Sequence, residues 1–251
     1  MHFCCLGSGS RGNAYVVEKR ATTLMIDCGF SLTDIKRRLV KNLLSPADID
    51  ALLITHEHSD HTAGLRRFLD AYPIPAYMSC GTAKKLNYPV GWRLLQAGKT
   101  LLIGDLQVLP VAVPHNAAEP LQFIIDDGAG RLGLMTDLGH TPPALCENLK
   151  NLNALIVECN YSASQLAANK RYPMEVKRRI AGDYGHLENE AAACLLGKIK
   201  NGDMRHVVAT HLSAENNTPT AARQALRQAI NGAATAIHVS DQENGADWLN
   251  I

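Results

Sequence analysis

The sequence predicts a single α/β (α+β) domain in which two β-sheets pack face to face with helices on their outer sides. Strand-like segments occur in both halves of the 251 residues, and helix-like segments accompany them in each half. The 46% hydrophobic content suffices for a large core. No repeat, linker or low-complexity run divides the chain, so we expect one domain over residues 1–251.

The predicted strands are short apolar runs, or runs rich in β-branched and aromatic residues. Four of them end at a polar residue that can bind a metal, namely His56, His115, Asp137 and His211. Open α/β sheets bind their ligands at such strand ends. The strands are expected at residues 13–18, 22–27, 51–54, 75–78, 100–103, 106–113, 121–125, 132–136, 154–160, 207–210 and 236–239.

The predicted helices lie between these strands and carry capping signals. Thr218 and Pro219 form an N-cap and first helical residue for a helix that ends at Ile230. Asn201 and Gly202 end the helix before it. In chain order, helices are expected at residues 34–40, 62–69, 81–86, near 142–144, and at 164–168, 175–180, 191–199 and 219–230.

Residues 55–61, Thr-His-Glu-His-Ser-Asp-His, carry the strongest functional signal. For a chain of this composition, H-x-H-x-D-H is expected by chance only about 10⁻³ times. Side chains two apart in an extended segment point the same way, so His56 and His58 face one point. Asp60 and His61 follow where the chain turns toward a helix, and their side chains diverge to hold a second point. We therefore predict two metal ions rather than a histidine-rich surface loop. Imidazole and carboxylate ligands without thiolate favour Zn²⁺, with Mn²⁺ or Fe as alternatives.

Other polar residues at strand or helix ends are candidates that also have structural explanations. Asp27 either supports a metal-bound imidazole from behind or caps the helix that follows. His115 is either a ligand or a surface residue, and Asp137 either bridges two metals or caps a helix. His186 lies in a polar, glycine-hinged helix start, where it either meets an anion or makes a local capping contact.

Residues 7–12, Gly-Ser-Gly-Ser-Arg-Gly, match the G-x-G-x-x-G pattern of dinucleotide sites, and Asp27 follows at a plausible distance. Such a site needs a helix after the glycines, whereas residues 13–18 and 22–27 predict two strands. We therefore do not expect a nucleotide cofactor. The side chains of Ser8, Ser10 and Asn13 and the backbone N–H groups of this loop suit an anion, so we predict that they bind substrate. The alternative is a plain tight turn.

The composition limits the possible partners and location. A net charge of +1 gives no overall sign of nucleic-acid binding. The basic residues nevertheless form local clusters at 36–38, 66–67, 84–85, 170–171 and 177–179. The seven cysteines show no C-x-x-C spacing, and neither a signal peptide nor an 18-residue apolar window is present. These features predict a cytoplasmic protein with no membrane association.

The motifs together resemble the metallo-β-lactamase superfamily of metal-dependent hydrolases, and within it the bacterial YycJ/WalJ group. The resemblance rests on residues 7–13, 56–61, 185–190 and 211–217 and runs nearly end to end. It implies a four-layer αββα sandwich with a two-metal site. It also implies a nuclease that degrades DNA from the 5′ end, as related proteins with an assigned activity do.

The resemblance also assigns the metal ligands. One metal would be held by His56, His58 and His115. The other would be held by Asp60, His61 and His211, with Asp137 bridging the two. Relatives tend to carry His-Asp after the strand that ends in Glu-x-Asn, whereas this chain has Tyr161-Ser162, a difference that bears on the substrate.

The leading hypothesis is therefore phosphodiester hydrolysis of DNA by a hydroxide that bridges two metals. Asp60 would orient the hydroxide, and His186 would protonate the leaving 3′-oxygen. The metals, with His186 and the loop of Ser8, Ser10 and Asn13, would offset the charge on the phosphate oxygens.

Two other classes of function are weighed against this hypothesis. One is a small-molecule hydrolase that acts on a cyclic phosphodiester, a thioester or an ester at the same site. The other is a non-catalytic metal-binding regulator, against which the complete ligand set argues. The chain has no long Gly/Pro-rich arm of tRNA-processing relatives, no large inserted nuclease domain, and no secretion signal of an antibiotic-degrading relative.

Overall fold

The computed structural model describes residues 1–87, 91–230 and 234–251, and its strands form two seven-stranded sheets. The strands are β1 (His2–Gly7), β2 (Ala14–Lys19), β3 (Thr22–Ile26), β4 (Ala51–Leu53), β5 (Ala76–Met78), β6 (Trp92–Leu94), β7 (Leu101–Ile103), β8 (Leu106–Ala112), β9 (Leu121–Asp126), β10 (Arg131–Met135), β11 (Ala154–Glu158), β12 (His206–Thr210), β13 (Ala236–Val239) and β14 (Ala246–Asn250).

The helices lie between the strands in sequence. They are α1 (Leu32–Lys41), α2 (Ser59–Thr62), α3 (Leu65–Ala71), α4 (Cys80–Lys85), α5 (Pro143–Asn148), α6 (Ala163–Ala168), α7 (Met174–Ile180), α8 (Asn189–Ile199) and α9 (Pro219–Ile230), with a 3₁₀ turn at Pro46–Asp48. The predicted N-cap at Thr218 is confirmed, because its Oγ1 accepts a hydrogen bond from the N–H of Ala221 at 3.2 Å. None of the helices in the described part of the chain has the length and apolar character of a membrane-spanning segment.

Each sheet is antiparallel in one half and parallel in the other. The first has the order β14-β1-β2-β3-β4-β5-β6, and the second has the order β13-β12-β11-β10-β9-β8-β7. Strands β3 to β6 run parallel in the first sheet, as do β10 to β13 in the second. The carboxyl ends of these parallel strands from both sheets meet at one edge of the sandwich, which is the usual place for a site in α/β proteins.

Three apolar clusters fill the spaces between the layers. Alternation along β2 points Tyr15 and Val17 toward the second sheet and Val16 toward the helices on the outer side. Phe68 of α3 covers the first sheet from outside, and Leu196 of α8 covers the second. Helix, sheet, sheet and helix therefore form four layers, and the predicted αββα sandwich is confirmed.

Three segments differ from the sequence-based prediction, and one of them is Ala246–Asn250, which forms the edge strand β14 although no strand was expected there. Residues His2–Gly7, which were not assigned to a strand, form β1 in the middle of the first sheet's antiparallel half. The helix expected at residues 62–69 begins only at Leu65, because Gly64 separates α3 from the short helix α2 before it. The N–H of Gly64 donates to the carbonyl oxygen of Cys28 at 2.9 Å, and a Cβ at Gly64 would overlap the carbonyl oxygen of Phe30. This close approach of two loops interrupts the helix.

Candidate metal centre

The candidate site lies where the carboxyl ends of the parallel strands from the two sheets converge. Strand β4 leads into the loop that carries the histidine motif, while β10 ends before Asp137 and β12 ends before His211. Asp27 follows β3 in the same way. Asp27, Asp137 and His211 have positive φ angles of 60°, 51° and 55°. Left-handed backbone at these three strand ends is uncommon for residues with a side chain, and it is typical of functional sites.

Three imidazoles form the first group of candidate ligands, which we call the histidine cluster: His56, His58 and His115. Nε2 of His56 lies 2.9 Å from Nδ1 of His58, and Nε2 of His115 lies 3.3 Å from the same atom. The prediction that His56 and His58 face one point therefore agrees with their positions. His115 reaches the cluster from the other sheet, after β8.

A second group, which we call the mixed cluster, consists of Asp60, His61 and His211. Oδ2 of Asp60 lies 3.5 Å from Nε2 of His61 and 3.4 Å from Nε2 of His211. Asp60 and His61 belong to α2, whereas His211 arrives from the end of β12 in the second sheet. Both clusters therefore combine residues from the two sheets.

Asp137 lies between the two clusters. Its Oδ2 lies 3.1 Å from Nε2 of His61, and its Oδ1 lies 3.8 Å from Nε2 of His115 and 3.7 Å from Nε2 of His211. Oδ2 is buried and has no hydrogen-bond partner of adequate geometry. An unpartnered buried carboxylate oxygen is costly in a protein interior and needs an explanation, which a bound cation would supply.

The ligand atoms fit divalent metal ions. A tetrahedral zinc ion with bonds of about 2.0–2.1 Å to nitrogen separates its ligand atoms by about 3.3 Å, close to the spacing in the histidine cluster. The outer nitrogens have partners that orient the rings: Nδ1 of His115 donates to the carbonyl oxygen of Gly185 at 3.0 Å, and Nδ1 of His56 donates to Oγ1 of Thr55 at 3.0 Å. The inner nitrogens are thereby left with lone pairs that face one another.

Electrostatics also favour cations at this site. Burial lowers the pKa of His56 and His115, so both rings are held in the neutral form that binds metal. Burial disfavours charge on His61 and His211 as well, but the surrounding carboxylates, Asp137 foremost among them, together outweigh it and raise the pKa of both imidazoles well above the usual value. In turn, these imidazoles hold the pKa of Asp137 well below its usual range despite burial. The buried carboxylates are thus stabilised by nearby positive charge, which metal ions would supply in place of protons on the imidazoles.

Asp27 lies directly behind the mixed cluster. Its Oδ2 accepts a hydrogen bond from Nδ1 of His61 at 2.7 Å, and its Oδ1 accepts one from the N–H of Thr55 at 2.9 Å. The cap of α1 is Ser31 instead, whose side chain accepts from the N–H of Asp34. Of the two roles weighed for Asp27, its position matches the support of an imidazole.

The sequence did not single out Glu158, which ends β11 in the second sheet and contacts two histidines of the site. Its Oε1 accepts hydrogen bonds from Nδ1 of both His186 and His211 at 2.8 Å, and its Oε2 accepts from the N–H groups of Leu138 and Leu187. Burial opposes ionisation, but His186 and the hydrogen bonds hold the pKa of Glu158 below its usual value. The available signal was a carboxylate at the end of an otherwise apolar strand, the pattern that also marks Asp137.

His186 lies beside the mixed cluster and three residues before α8, which begins at Asn189. It is therefore not at the helix N-terminus as predicted. With Nδ1 donating to Glu158, its Nε2 edge is available to a polar cavity of about 240 Å³ lined by His58, Asn116, Arg179, Ile180, Gly185 and His186. Burial lowers the basicity of the ring, but Glu158 outweighs this effect and raises the pKa of His186 above its usual value.

The predicted substrate loop has mostly internal partners. Oγ of Ser8 donates to Oδ1 of Asn13 at 2.8 Å and accepts from the N–H of His211 at 2.9 Å. Nδ2 of Asn13 lies 3.4 Å from Oδ2 of Asp60 and 3.2 Å from Nε2 of His61. Ser8 and Asn13 are buried, whereas Ser10 is exposed. The loop therefore holds the three residues of the mixed cluster in place. Contact between this loop and a substrate stays a prediction.

Tyr161 and Ser162, where relatives tend to carry His-Asp, do not lie in either cluster. Tyr161 lines a separate, largely apolar groove of about 330 Å³ together with Leu166 and Met174. The N–H of Ser162 donates to the carbonyl oxygen of Asn216 at 2.9 Å. The sequence difference therefore changes a groove that none of the candidate metal ligands lines, and it leaves both clusters unchanged.

Comparison with known proteins identifies the family of this chain. The model of the metallo-beta-lactamase superfamily matches residues 7–157. The exodeoxyribonuclease YycJ of Bacillus anthracis is 31% identical over 253 residues, which cover 96% of each chain. The exodeoxyribonuclease WalJ of Streptococcus pneumoniae is 31% identical over 225 residues, covering 86% of this chain and 82% of that one.

A solved structure supports the fold independently. The metallo-beta-lactamase fold protein YhfI of Bacillus subtilis superimposes with a TM-score of 0.77 at 16% identity, covering 99% of this chain and 98% of that one. The family model matches more than half of the chain and both relatives match most of it, so this chain belongs to the metallo-β-lactamase superfamily of metal-dependent hydrolases.

Proposed function

We propose that this protein is a di-metal phosphodiester hydrolase that degrades DNA from the 5′ end. The observation that carries the proposal is the position of Asp137 between two complete ligand clusters, beside a cavity that holds a further imidazole, His186. Support for DNA comes from the two relatives named exodeoxyribonucleases, which match this chain over most of its length.

The metals would be held as the two clusters suggest. His56, His58 and His115 would bind one ion, and Asp60, His61 and His211 the other, with Asp137 shared between them. When bound, two divalent ions supply an activated water as nucleophile and positive charge for the non-bridging phosphate oxygens. Zn²⁺ is favoured by the imidazole-rich ligands, with Mn²⁺ or Fe as alternatives.

Asp60 would orient the nucleophile. Hydrogen bonds with His211 and His61 outweigh its burial and keep the pKa of Asp60 below its usual range, so the carboxylate stays an acceptor at neutral pH. Its side chain is 21% exposed, which leaves it accessible from the cleft. Asn13 holds this carboxylate from behind.

His186 would protonate the leaving 3′-oxygen. The hydrogen bond from Nδ1 to Glu158 fixes the ring so that the Nε2 edge is the one available to substrate. A general acid must lie within hydrogen-bond reach of the leaving atom, and the cavity beside the histidine cluster offers that position. Ser10, the exposed residue of the predicted substrate loop, would contact the phosphate backbone farther out.

A direct assay tests the proposal. Bound metal per chain is measured, and the protein is incubated with 5′- and 3′-labelled DNA with and without Mn²⁺. We expect about two metals per chain and release of the 5′ label as mononucleotide, with activity falling as salt rises. An Asp60→Asn variant purified in parallel controls for contaminating nuclease.

The opposite outcome has a definite meaning. If two metals are bound, DNA stays intact and a cyclic or other small phosphodiester is turned over, the proposal is wrong. The small-molecule hydrolase is then the better description, with the Tyr161 groove as the first place to look for its substrate.

We keep the cytoplasm as the expected location, since the cysteines of the described residues are free thiols.

A further inference from the structure

The cavity beside the histidine cluster has the character of an anion site. Its polar lining consists of two imidazoles, the Asn116 amide and the Arg179 guanidinium, and no carboxylate lines it. At about 240 Å³ it has room for a small polar group next to His58. The proposed reaction places the scissile phosphate at the metals and the leaving 3′-oxygen at the His186 side of this cavity, so the Arg179 side has no assigned occupant.

Arg179 is the strongest cation of this cavity. It is exposed at the C-terminal end of α7. No carboxylate residue lines the cavity, and Arg179 takes part in none of the ion pairs found among the described residues. Within the described part of the chain, the Arg179 guanidinium is therefore available to a ligand, and its planar fork suits phosphate oxygens.

Helix α7 offers a built-in comparison. Arg178 has the same charge and is also exposed, but it lines the apolar groove with Met174 and Tyr161 instead of the cavity. A positive charge in the last turn of a helix offsets the helix dipole, and this holds for both arginines equally. Only Arg179 shares a cavity with His58 and His186, so only Arg179 has the placement of a substrate contact.

We propose that this cavity binds the terminal 5′-phosphate of a DNA strand and that Arg179 is the residue that recognises it. The inference rests on the proposed nuclease function and deepens it. An exonuclease must distinguish a strand end from internal positions, and a terminal phosphate monoester carries more negative charge than a diester. A small cationic cavity beside the metals would bind the more highly charged terminal phosphate more tightly. An internal phosphodiester fits it less well, because the DNA chain continues on both sides of that phosphate.

Two oligonucleotides of one sequence test the inference, one with a 5′-phosphate and one with a 5′-hydroxyl. For the metal-loaded wild type, we expect kcat/KM to favour the 5′-phosphate by about tenfold or more. Arg179→Ala brings the ratio of the two kcat/KM values close to one, and Arg179→Lys keeps part of it. Arg178→Ala, the matched loss of one charge from the same helix, keeps the wild-type ratio.

The outcomes separate this inference from the function beneath it. A wild type that degrades both strands equally, or an Arg179→Ala variant that keeps the wild-type ratio, overturns the inference and leaves the nuclease function standing. Equal loss in Arg178→Ala and Arg179→Ala shows a general charge effect and also overturns it. A metal-loaded wild type that degrades neither strand overturns the proposed function and the inference together.

Discussion

Nδ1 of His61 donates a hydrogen bond to the Asp27 carboxylate at 2.7 Å, and both side chains are fully buried. This contact joins the end of β3 to α2, two elements separated by more than thirty residues. Because the outer nitrogen of His61 carries the proton, the inner nitrogen presents a lone pair to the mixed cluster. A metal-binding imidazole needs that tautomer, and Asp27 imposes it.

The first prediction concerns this contact. Asp27→Asn should reduce metal affinity at the mixed cluster by about 10–100-fold. Asparagine tolerates the left-handed backbone at this position, so the main change is chemical. The N–H of Thr55 would hold the amide oxygen, so the NH₂ group would face Nδ1 of His61. This arrangement favours the other tautomer, in which Nε2 carries the proton and cannot bind metal. Competition with a chromophoric chelator measures the affinity.

The control for this prediction is Asp203→Asn, which makes the same change on an exposed turn before β12. It should bind metal as the wild type does. Unchanged metal affinity in a folded Asp27→Asn protein would contradict the assigned support role.

Much of the site could be predicted because its residues lie at strand ends. Apolar runs in the sequence predicted β4, β10 and β12. Each run is followed by a polar residue, and the fold brings these residues together at one edge of the sandwich. The motif of His56 to His61 needed only local geometry, since alternation and a turn place its side chains. The cluster assignments beyond it came from resemblance, which supplied the long-range pairing.

Contacts between distant segments were not predictable from local patterns. Glu158 looked like one more residue of a buried strand, and only the packing of α8 and β12 against β11 gives it two imidazole partners. Ser8 seemed exposed in a glycine loop, yet it is buried because His211 approaches from the second sheet. The break at Gly64 likewise depends on a neighbouring loop rather than on helix propensity.

The second prediction follows from the two imidazoles that share one oxygen of Glu158. Glu158→Gln should cost about 2–3 kcal/mol in the free energy of unfolding, because a buried charged hydrogen bond is lost. In one orientation of the glutamine amide, its NH₂ group faces the ring N–H groups of His186 and His211. In the other orientation, it faces the backbone N–H groups of Leu138 and Leu187, so two donors oppose each other in both cases. Chemical denaturation of the metal-free protein measures the loss without interference from metal binding.

Glu147→Gln is the matched control, since Glu147 is 68% exposed and pairs with Lys150 at the surface. It should change the free energy of unfolding by less than about 0.5 kcal/mol. Equal stability of Glu158→Gln and wild type would show that Glu158 does not hold the two rings as described.

The third prediction tests the proton donor. His186→Ala should lower kcat on DNA by about 10²–10⁴-fold with about two metals still bound per chain. The loss should be much smaller on a p-nitrophenyl phosphodiester, because that leaving group departs without a proton. This difference separates proton donation from a structural effect, which would slow both substrates alike.

His140→Ala provides the comparison for that measurement. His140 is exposed near the same loop, where its Nδ1 donates to the carbonyl oxygen of Asp183 at 2.9 Å. Its removal should leave both rates close to wild type. Full kcat on DNA in a metal-loaded His186→Ala protein would exclude His186 as the acid.

The last prediction concerns pH and stability away from the metal centre. Asp34 in α1 is paired with Arg37 and Arg38, and Oδ2 of Asp34 accepts from Nε of Arg38 at 3.0 Å. Burial opposes ionisation of Asp34, but hydrogen bonds from the two arginines outweigh it and hold its pKa below the usual 3.8. Arg38 is itself buried against Phe30 and donates to the carbonyl oxygen of Leu6 at 2.7 Å.

A carboxylate whose pKa is lower in the folded state stabilises the protein above the unfolded value and stops doing so as the pH falls through the folded value. Asp34→Asn should therefore cost about 1 kcal/mol at pH 7, a figure reduced for the partial exposure of Asp34. In a protein of this size that corresponds to about 2–4 °C in Tm. The difference from wild type should be the same at pH 7 and pH 5.5 and should shrink below about pH 4. Asp70→Asn, at an exposed position of α3, should show no such difference at any pH, and a constant Tm gap for Asp34→Asn down to pH 3 would contradict the ion-pair explanation.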